Sequence, residues 1–148
     1  MQVFIASDHA AYAEKEELIK KLSSSFSVTD LGPESADRCN YSDFAITMAK
    51  KIQNSNSDTV GILLCGSGIG MSMAANRFKG VRAALCYTPV EAQLSREHND
   101  ANVLCVGART HSQEEIEEIA KTWLKTEFEG GRHSDRIKIF DNLGEHDA

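Results

Sequence analysis

Apolar positions along this chain fall into two kinds of run. Some are short blocks without alternation, the mark of strands buried on both faces. Gln2-Val-Phe-Ile-Ala6 is the first. The central one lies within Val60-Gly-Ile-Leu-Leu-Cys65, and Val81-Arg-Ala-Ala-Leu-Cys86 and Val103-Leu-Cys-Val106 follow it; Ser27-Val-Thr-Asp-Leu31 is a weaker strand, closed by Gly32-Pro33. Between these blocks the spacing is helical. A charged helix runs from Tyr12 to Ser24 with Leu18, Ile19 and Leu22 on one face. Ser42 is placed to cap a second, reaching about Asn54, with a stripe of Phe44, Ala45, Met48, Ala49 and Ile52. A third starts at Met71 and stops near Lys79-Gly80. Thr88-Pro-Val-Glu91 supplies an N-cap, a proline at the first helical position and a capping-box glutamate for a fourth, ending around Arg96 to Asp100. Ser112-Gln-Glu-Glu115 is a second capping box, opening a helix that turns Ile116, Ile119, Ala120, Trp123 and Leu124 inward. In the last stretch Arg132 and Arg136 stand four apart and share a face if it is helical.

Five alternations of strand and helix predict an α/β fold: an open, five-stranded, mainly parallel sheet with helices on both faces, in one domain over residues 1–148. Ligands of such sheets bind outside the carboxyl ends of the strands. Asp8-His9, the stretch Cys65 to Gly70, and Arg109 fall at such ends.

The stretch Cys65-Gly-Ser-Gly-Ile-Gly70 carries the most specific chemistry. A strand running into a glycine turn and a helix makes an anion site, because backbone N–H groups are unobstructed and the helix start carries partial positive charge. A cysteine at that place is expected to have a lowered pKa and to serve as nucleophile or base. The loop lacks the Lys-Ser/Thr of a P-loop, and Met71 stands where a G-x-G-x-x-G motif has its third glycine. Taken singly, each group also has a structural explanation. Cys65 fits a buried inert thiol, Asp8 a cap for the first helix, His98 a helix-end charge partner, and Arg132 with Arg136 a solvated face.

Composition narrows the classes. The 148 residues are 41% hydrophobic and 26% charged, ordinary for a soluble domain with a real core. A formal net charge of −6 argues against nucleic-acid and membrane-surface partners. No segment is long and apolar enough to span a bilayer, and the chain enters a strand pattern at once, so no signal peptide is expected. Cys39, Cys65, Cys86 and Cys105 form no C-x-x-C and read as reduced thiols of a cytoplasmic protein. The five histidines show no H-x₃-H or H-E-x-x-H spacing, so no metal site is expected.

Four stretches taken together resemble the type B ribose-5-phosphate isomerases, the family that includes the galactose-6-phosphate isomerase subunits. They are Asp8-His9, Cys65 to Gly70, Arg96-Glu-His-Asn-Asp100 and Glu129-Gly-Gly-Arg-His133, in order and similarly spaced over essentially the whole chain. The resemblance implies a Rossmann-like three-layer α/β/α sandwich, working as a homodimer or dimer of dimers without metal or nucleotide cofactor. It implies interconversion of ribose 5-phosphate and ribulose 5-phosphate through an enediolate. By position Cys65 is the base that shuttles the carbon proton. This chain falls in the cysteine branch of the family, with Met71 where other members carry a glutamate. The amides from Gly66 through Ser67, Gly68 and Ile69 to Gly70 would hold the enediolate oxygen. Ser67 and His98 would open the sugar ring, and Asp8 and Asn99 would hold hydroxyls. His9, Arg132 and Arg136, with Arg109 nearby, would bind the phosphate, for which forked guanidinium donors are suited. The site is shared, with His98, Asn99, Arg109, Arg132 and Arg136 expected from the chain opposite Cys65. Asn40-Tyr41-Ser42 replaces the family's usual Asp-Tyr-Pro and keeps Tyr41 to line the sugar.

The nearest alternative is the same chemistry on a six-carbon substrate such as allose or galactose 6-phosphate, which pocket depth decides. A cysteine phosphatase needs an arginine six residues after its cysteine, where this chain has Met71. A flavodoxin-like nucleotide or sensor module would need an acidic ribose-binding residue, and Asp30 closes the second strand ahead of the glycine loop.

Overall fold

The computed structural model describes residues 1–146. Five strands, β1 (Gln2–Ser7), β2 (Ser27–Asp30), β3 (Thr59–Cys65), β4 (Ala83–Leu85) and β5 (Val103–Gly107), form one sheet in the order β2-β1-β3-β5-β4. Every pairing is parallel, so the sheet is wholly rather than mainly so. β3 sits at its centre and all seven of its residues are buried, as the unalternating run predicts.

Six α-helices cover it: α1 (Tyr12–Leu22), α2 (Tyr41–Gln53), α3 (Ile69–Ala75), α4 (Pro89–Glu97), α5 (Gln113–Lys125) and α6 (Arg132–Phe140). One core packs Leu18 and Leu22 of α1, Ala92 of α4 and Ile116, Ile119, Ala120 and Trp123 of α5 against one sheet face. The other packs Ala45, Met48 and Ile52 of α2 and Met71 and Ala75 of α3 against the opposite face. These are the three layers of an α/β/α sandwich. Because α1 and α3 leave the adjacent strands β1 and β3 on opposite faces, the carboxyl ends of those two strands flank the crevice where such sheets take ligands. Among the described residues no helix is long and apolar enough to cross a membrane.

Both capping boxes form, at Thr88 with Glu91 and at Ser112 with Glu115. Other boundaries differ from the sequence expectation. Helix α2 starts one residue before Ser42, behind Asn40, with no side-chain cap. Helix α3 begins at Ile69 rather than Met71, because Gly68 at φ 78 already turns the chain. It ends at Ala75, four residues short of Lys79, where the Asn76 side chain pairs with both the N–H and the carbonyl of Ala83 at 2.8 Å. This amide bracket ties the helix end to the edge strand β4, which is shortened to three residues. Asp8 does act as a cap, but for a 3-10 turn over His9–Ala11 that precedes α1.

Candidate functional site

The carboxyl ends of β1, β3 and β5 bring together most of one half of the expected site. Asp8 follows β1, and its N–H donates to the Leu64 carbonyl of β3 at 3.1 Å. Its Oδ1 accepts from the N–H groups of Ala10 and Ala11 at 3.0 and 3.2 Å, which fixes the carboxylate and leaves Oδ2 outside those bonds. His9 is half-buried, with Nδ1 3.2 Å from the Cys39 N–H and 3.1 Å from its carbonyl oxygen. Either tautomer therefore finds a partner at Nδ1, and Nε2 stays outside these contacts. The loop carrying Cys39 is itself anchored upstream. Buried Lys15 holds Asp30 at 2.8 and 2.7 Å and the Pro33 carbonyl at 2.8 Å.

Cys65 ends β3 and is 4% exposed. The Gly68 N–H donates to its Sγ at 3.1 Å, so the sulfur is held by an amide of the glycine loop. The three glycines lie close against neighbouring groups, and of them Gly68 alone also takes a positive φ. A Cβ on Gly66 would lie 3.3 Å from the Arg109 side chain, and one on Gly70 would sit 2.5 Å from the Tyr41 ring. A Cβ on Gly68 would stand 2.7 Å from Leu85 and 3.1 Å from the Val106 backbone, at a left-handed φ. Tyr41 and Arg109 thus border the glycine loop of their own chain. This corrects the expectation for Arg109. It belongs to the Cys65 half, held by bonds from Ala108 N–H to Cys65 O at 2.8 Å and from Arg109 N–H to Gly66 O at 2.9 Å. Ser67 lies in the same loop, its Oγ accepting from Ile69 N–H at 3.3 Å.

His98, Asn99, Arg132 and Arg136 are elsewhere. His98 caps the carboxyl end of α4, before β5 begins, whereas Cys65 pairs with Gly107 at the end of β5. The four residue steps of β5 separate the two ends, about 13 Å at the usual strand rise. The turn after α4 is shaped by Asp100, whose left-handed φ of 46° is paired with ion contacts to Arg82 at 3.3 Å and Arg96 at 3.7 Å. Arg82 also reaches Asp141 at 2.7 Å, fastening the far end of α6 to the same edge. The near end is fastened by the Glu129 N–H, which donates to the Glu97 carbonyl at 3.1 Å. Arg132 and Arg136 then emerge on exposed turns of α6. Among the described residues no carboxylate lies within ion-pair distance of Arg109, Arg132 or Arg136. On a chain of net charge −6, unpaired guanidinium groups at both edges suit a small anion.

The structure also adds two residues that the sequence reading left without a role. Glu129 and His133 gather around His98, with all three ligand-type atoms within 4.8 Å of one another. No local metal motif could signal this, since 35 positions separate the two histidines. The set is a poor cation chelate as it stands. The imidazoles are stacked at 4.4 Å with planes only 16° apart, so their in-plane lone pairs run side by side instead of converging on one ion. Cys86 and Cys105 are buried in the two cores, one on each face of the sheet, whereas Cys39 is partly exposed in the loop beside His9. Burial pushes the Cys86 thiol up to about 11, partly offset by a bond to Ser95, and raises that of Cys105 as well.

Residues 3–140 match the family described as Ribose/Galactose Isomerase. The chain is 41% identical to the ribose-5-phosphate isomerase B of Escherichia coli K12 over 132 residues, 88% of each protein. The crystal structure of ribose-5-phosphate isomerase B from Mycoplasma genitalium, solved with bound ribulose 5-phosphate, superposes with a TM-score of 0.90 at 43% identity, over 95% of this chain and 93% of that one. The Clostridium thermocellum ribose-5-phosphate isomerase B gives a TM-score of 0.91 at 39% identity, over 95% of both. With the family match running nearly end to end and relatives of this similarity on the same fold, the chain belongs to the ribose/galactose isomerase family and is an enzyme of the ribose-5-phosphate isomerase B kind.

Proposed function

We propose that this chain interconverts D-ribose 5-phosphate and D-ribulose 5-phosphate by proton transfer among its own side chains, at sites built by two copies of the chain. His98 with Ser67 moves the C1 hydroxyl proton to the ring oxygen, breaking the C1–O4 bond and freeing the aldehyde. The Cys65 thiolate takes the C2 proton, and the electron pair passes to the carbonyl oxygen to give an enediolate. Amides of residues 66–70 neutralise that oxygen. The proton returns to C1 while the O2 proton moves to O1, leaving the C2 ketone. Asp8, Asn99 and Tyr41 hold sugar hydroxyls. His9, Arg109, Arg132 and Arg136 take the phosphate, with bidentate geometry available to the arginines.

The observation that carries this reading is the sulfur of Cys65, bonded by the Gly68 N–H at 3.1 Å and flanked by Asp8 at the crevice between β1 and β3. The ribulose 5-phosphate in the Mycoplasma genitalium relative supports a five-carbon substrate. The split of the site between two sheet edges supports a second copy, since one chain keeps His98 away from Cys65. Exposed apolar side chains flank the β4 edge, Ile69 and Met73 on α3 and Val90 and Leu94 on α4, a surface suited to self-association.

The test is ketose formation from ribose 5-phosphate by the purified protein in EDTA, with allose and galactose 6-phosphates in parallel. Turnover of ribose 5-phosphate is expected. Turnover of a six-carbon substrate alone would overturn the choice of sugar, and no turnover of any would overturn the reaction.

A further inference from the structure

The stretch Glu129-Gly-Gly-Arg-His133 brings more than Arg132 to the amino edge of the sheet. Gly130 and Gly131 both take left-handed φ values, 68° and 60°, which residues with a Cβ rarely adopt. This double turn folds the chain back so that Glu129 and His133 close on the same imidazole. The His133 ring is buried and stacks on that of His98 at 4.4 Å. Glu129 Oε2 lies 3.4 Å from His133 Nε2 and 4.0 Å from His98 Nε2. The Glu129 backbone is tied to Glu97, the residue before His98, which anchors the start of its side chain beside the pair. A buried imidazole is an expensive packing group unless its polarity is used, and here it forms the platform under an imidazole that is partly open to solvent.

We propose that His133 and Glu129 are positioning residues for His98: the buried ring sets the plane of the His98 imidazole, and the shared carboxylate oxygen sets which way its Nε2 edge turns. The inference rests on the reading of His98 as the ring-opening group. Neither residue touches the carbon that loses its proton, so their effect is confined to the cyclic sugar. Ring opening and carbon proton transfer can be measured apart. Conversion of ribose 5-phosphate to ribulose 5-phosphate needs both. Wash-in of deuterium from D₂O into C1 of ribulose 5-phosphate, an open-chain ketose, needs only the enediolate step.

The experiment compares these two rates, by NMR, in His133→Ala, Glu129→Gln and His133→Phe, with melting curves for each. Glu129 is half-exposed, so Glu129→Gln tests the idea even if His133→Ala folds poorly. The first two variants should lose roughly 10- to 100-fold in conversion of ribose 5-phosphate, the scale for misplacing an acid–base group, while C1 exchange stays within about twofold of wild type. His133→Phe, which keeps an aromatic platform, should recover most of what His133→Ala loses. Conversion at the wild-type rate in both Glu129→Gln and His133→Ala, or conversion and exchange falling in parallel, would overturn the proposal. His98→Ala separates this from failure of the underlying reading: if that variant converts ribose 5-phosphate normally, His98 is not the ring-opening group at all.

Discussion

If one site draws Cys65 from one chain and His98 from another, two inactive variants should repair each other. Cys65→Ser removes the base, and His98→Ala removes the ring-opening group. Acid–base groups contribute about 10²- to 10⁴-fold, so each homodimer should retain at most about 1% of wild-type turnover. In a mixed dimer one site inherits both defects and the other inherits neither. Random reassortment makes about half of the dimers mixed, each with one intact site of two, so the pooled sample should recover about a quarter of wild-type activity. The geometry makes this a sharp test, because the length of β5 lies between the two groups within one chain. The assay is ribose 5-phosphate conversion after the two variants are unfolded together in denaturant and refolded, against each variant refolded alone. A mixture no more active than its components, with wild-type protein recovering fully under the same treatment, would refute the split site.

Three further outcomes follow from particular contacts. Gly68→Ala puts a Cβ 3.1 Å from the Val106 backbone at a φ of 78°, costing about 1–2 kcal/mol in backbone strain alone. It should displace the amide that bonds Cys65, with turnover down roughly 100-fold at a modestly lowered Tm; wild-type turnover would show that the loop amide is dispensable. For the thiols, burial holds Cys86 near 11 and raises Cys105 as well, so only about one Cys86 in a thousand is thiolate at pH 8. Iodoacetamide mapping by mass spectrometry at pH 8 should leave both unlabelled in the folded protein, with Cys86 labelling rising toward pH 11. Ser112→Ala removes the acceptor for Glu115 N–H and should cost about 1 kcal/mol, a drop in Tm of roughly 2–4 °C. The Ser112 N–H holds the Glu115 carboxyl below its usual range. A folded pKa below the unfolded one means stability present above the ordinary glutamate range and lost as pH falls through the folded value; because the substitution keeps this backbone N–H, wild type and Ser112→Ala should lose that contribution alike and the difference between them should stay nearly constant in acid.

Much of the fold was readable from the chain because its signals are local. The blocks around Ile62-Leu-Leu64 and Val103-Leu-Cys-Val106 need no partner to declare themselves buried strands, and the boxes at Thr88 and Ser112 close within four residues. What was not readable depends on contacts between distant positions. The early end of α3 is set by Asn76 bonding Ala83, and the insertion of β5 between β3 and β4 is a matter of topology. The site divides in the same way. Cys65 and its glycines form one continuous loop, and Tyr41 reaches Gly70 even though the proline usual after it is missing. Placing Arg109 with its own chain's Gly66 required the register of β3 against β5. The pairing of His98 with His133 required the Gly130-Gly131 turn.

The central claim is that Cys65 is the base, and its most direct test is the single variant Cys65→Ser. The change is nearly isosteric, so the melting curve should match wild type within a few degrees. Conversion of ribose 5-phosphate in EDTA and deuterium wash-in at C1 of ribulose 5-phosphate should then both fall at least about 100-fold. A folded Cys65→Ser protein that keeps either rate near the wild-type value would contradict the account.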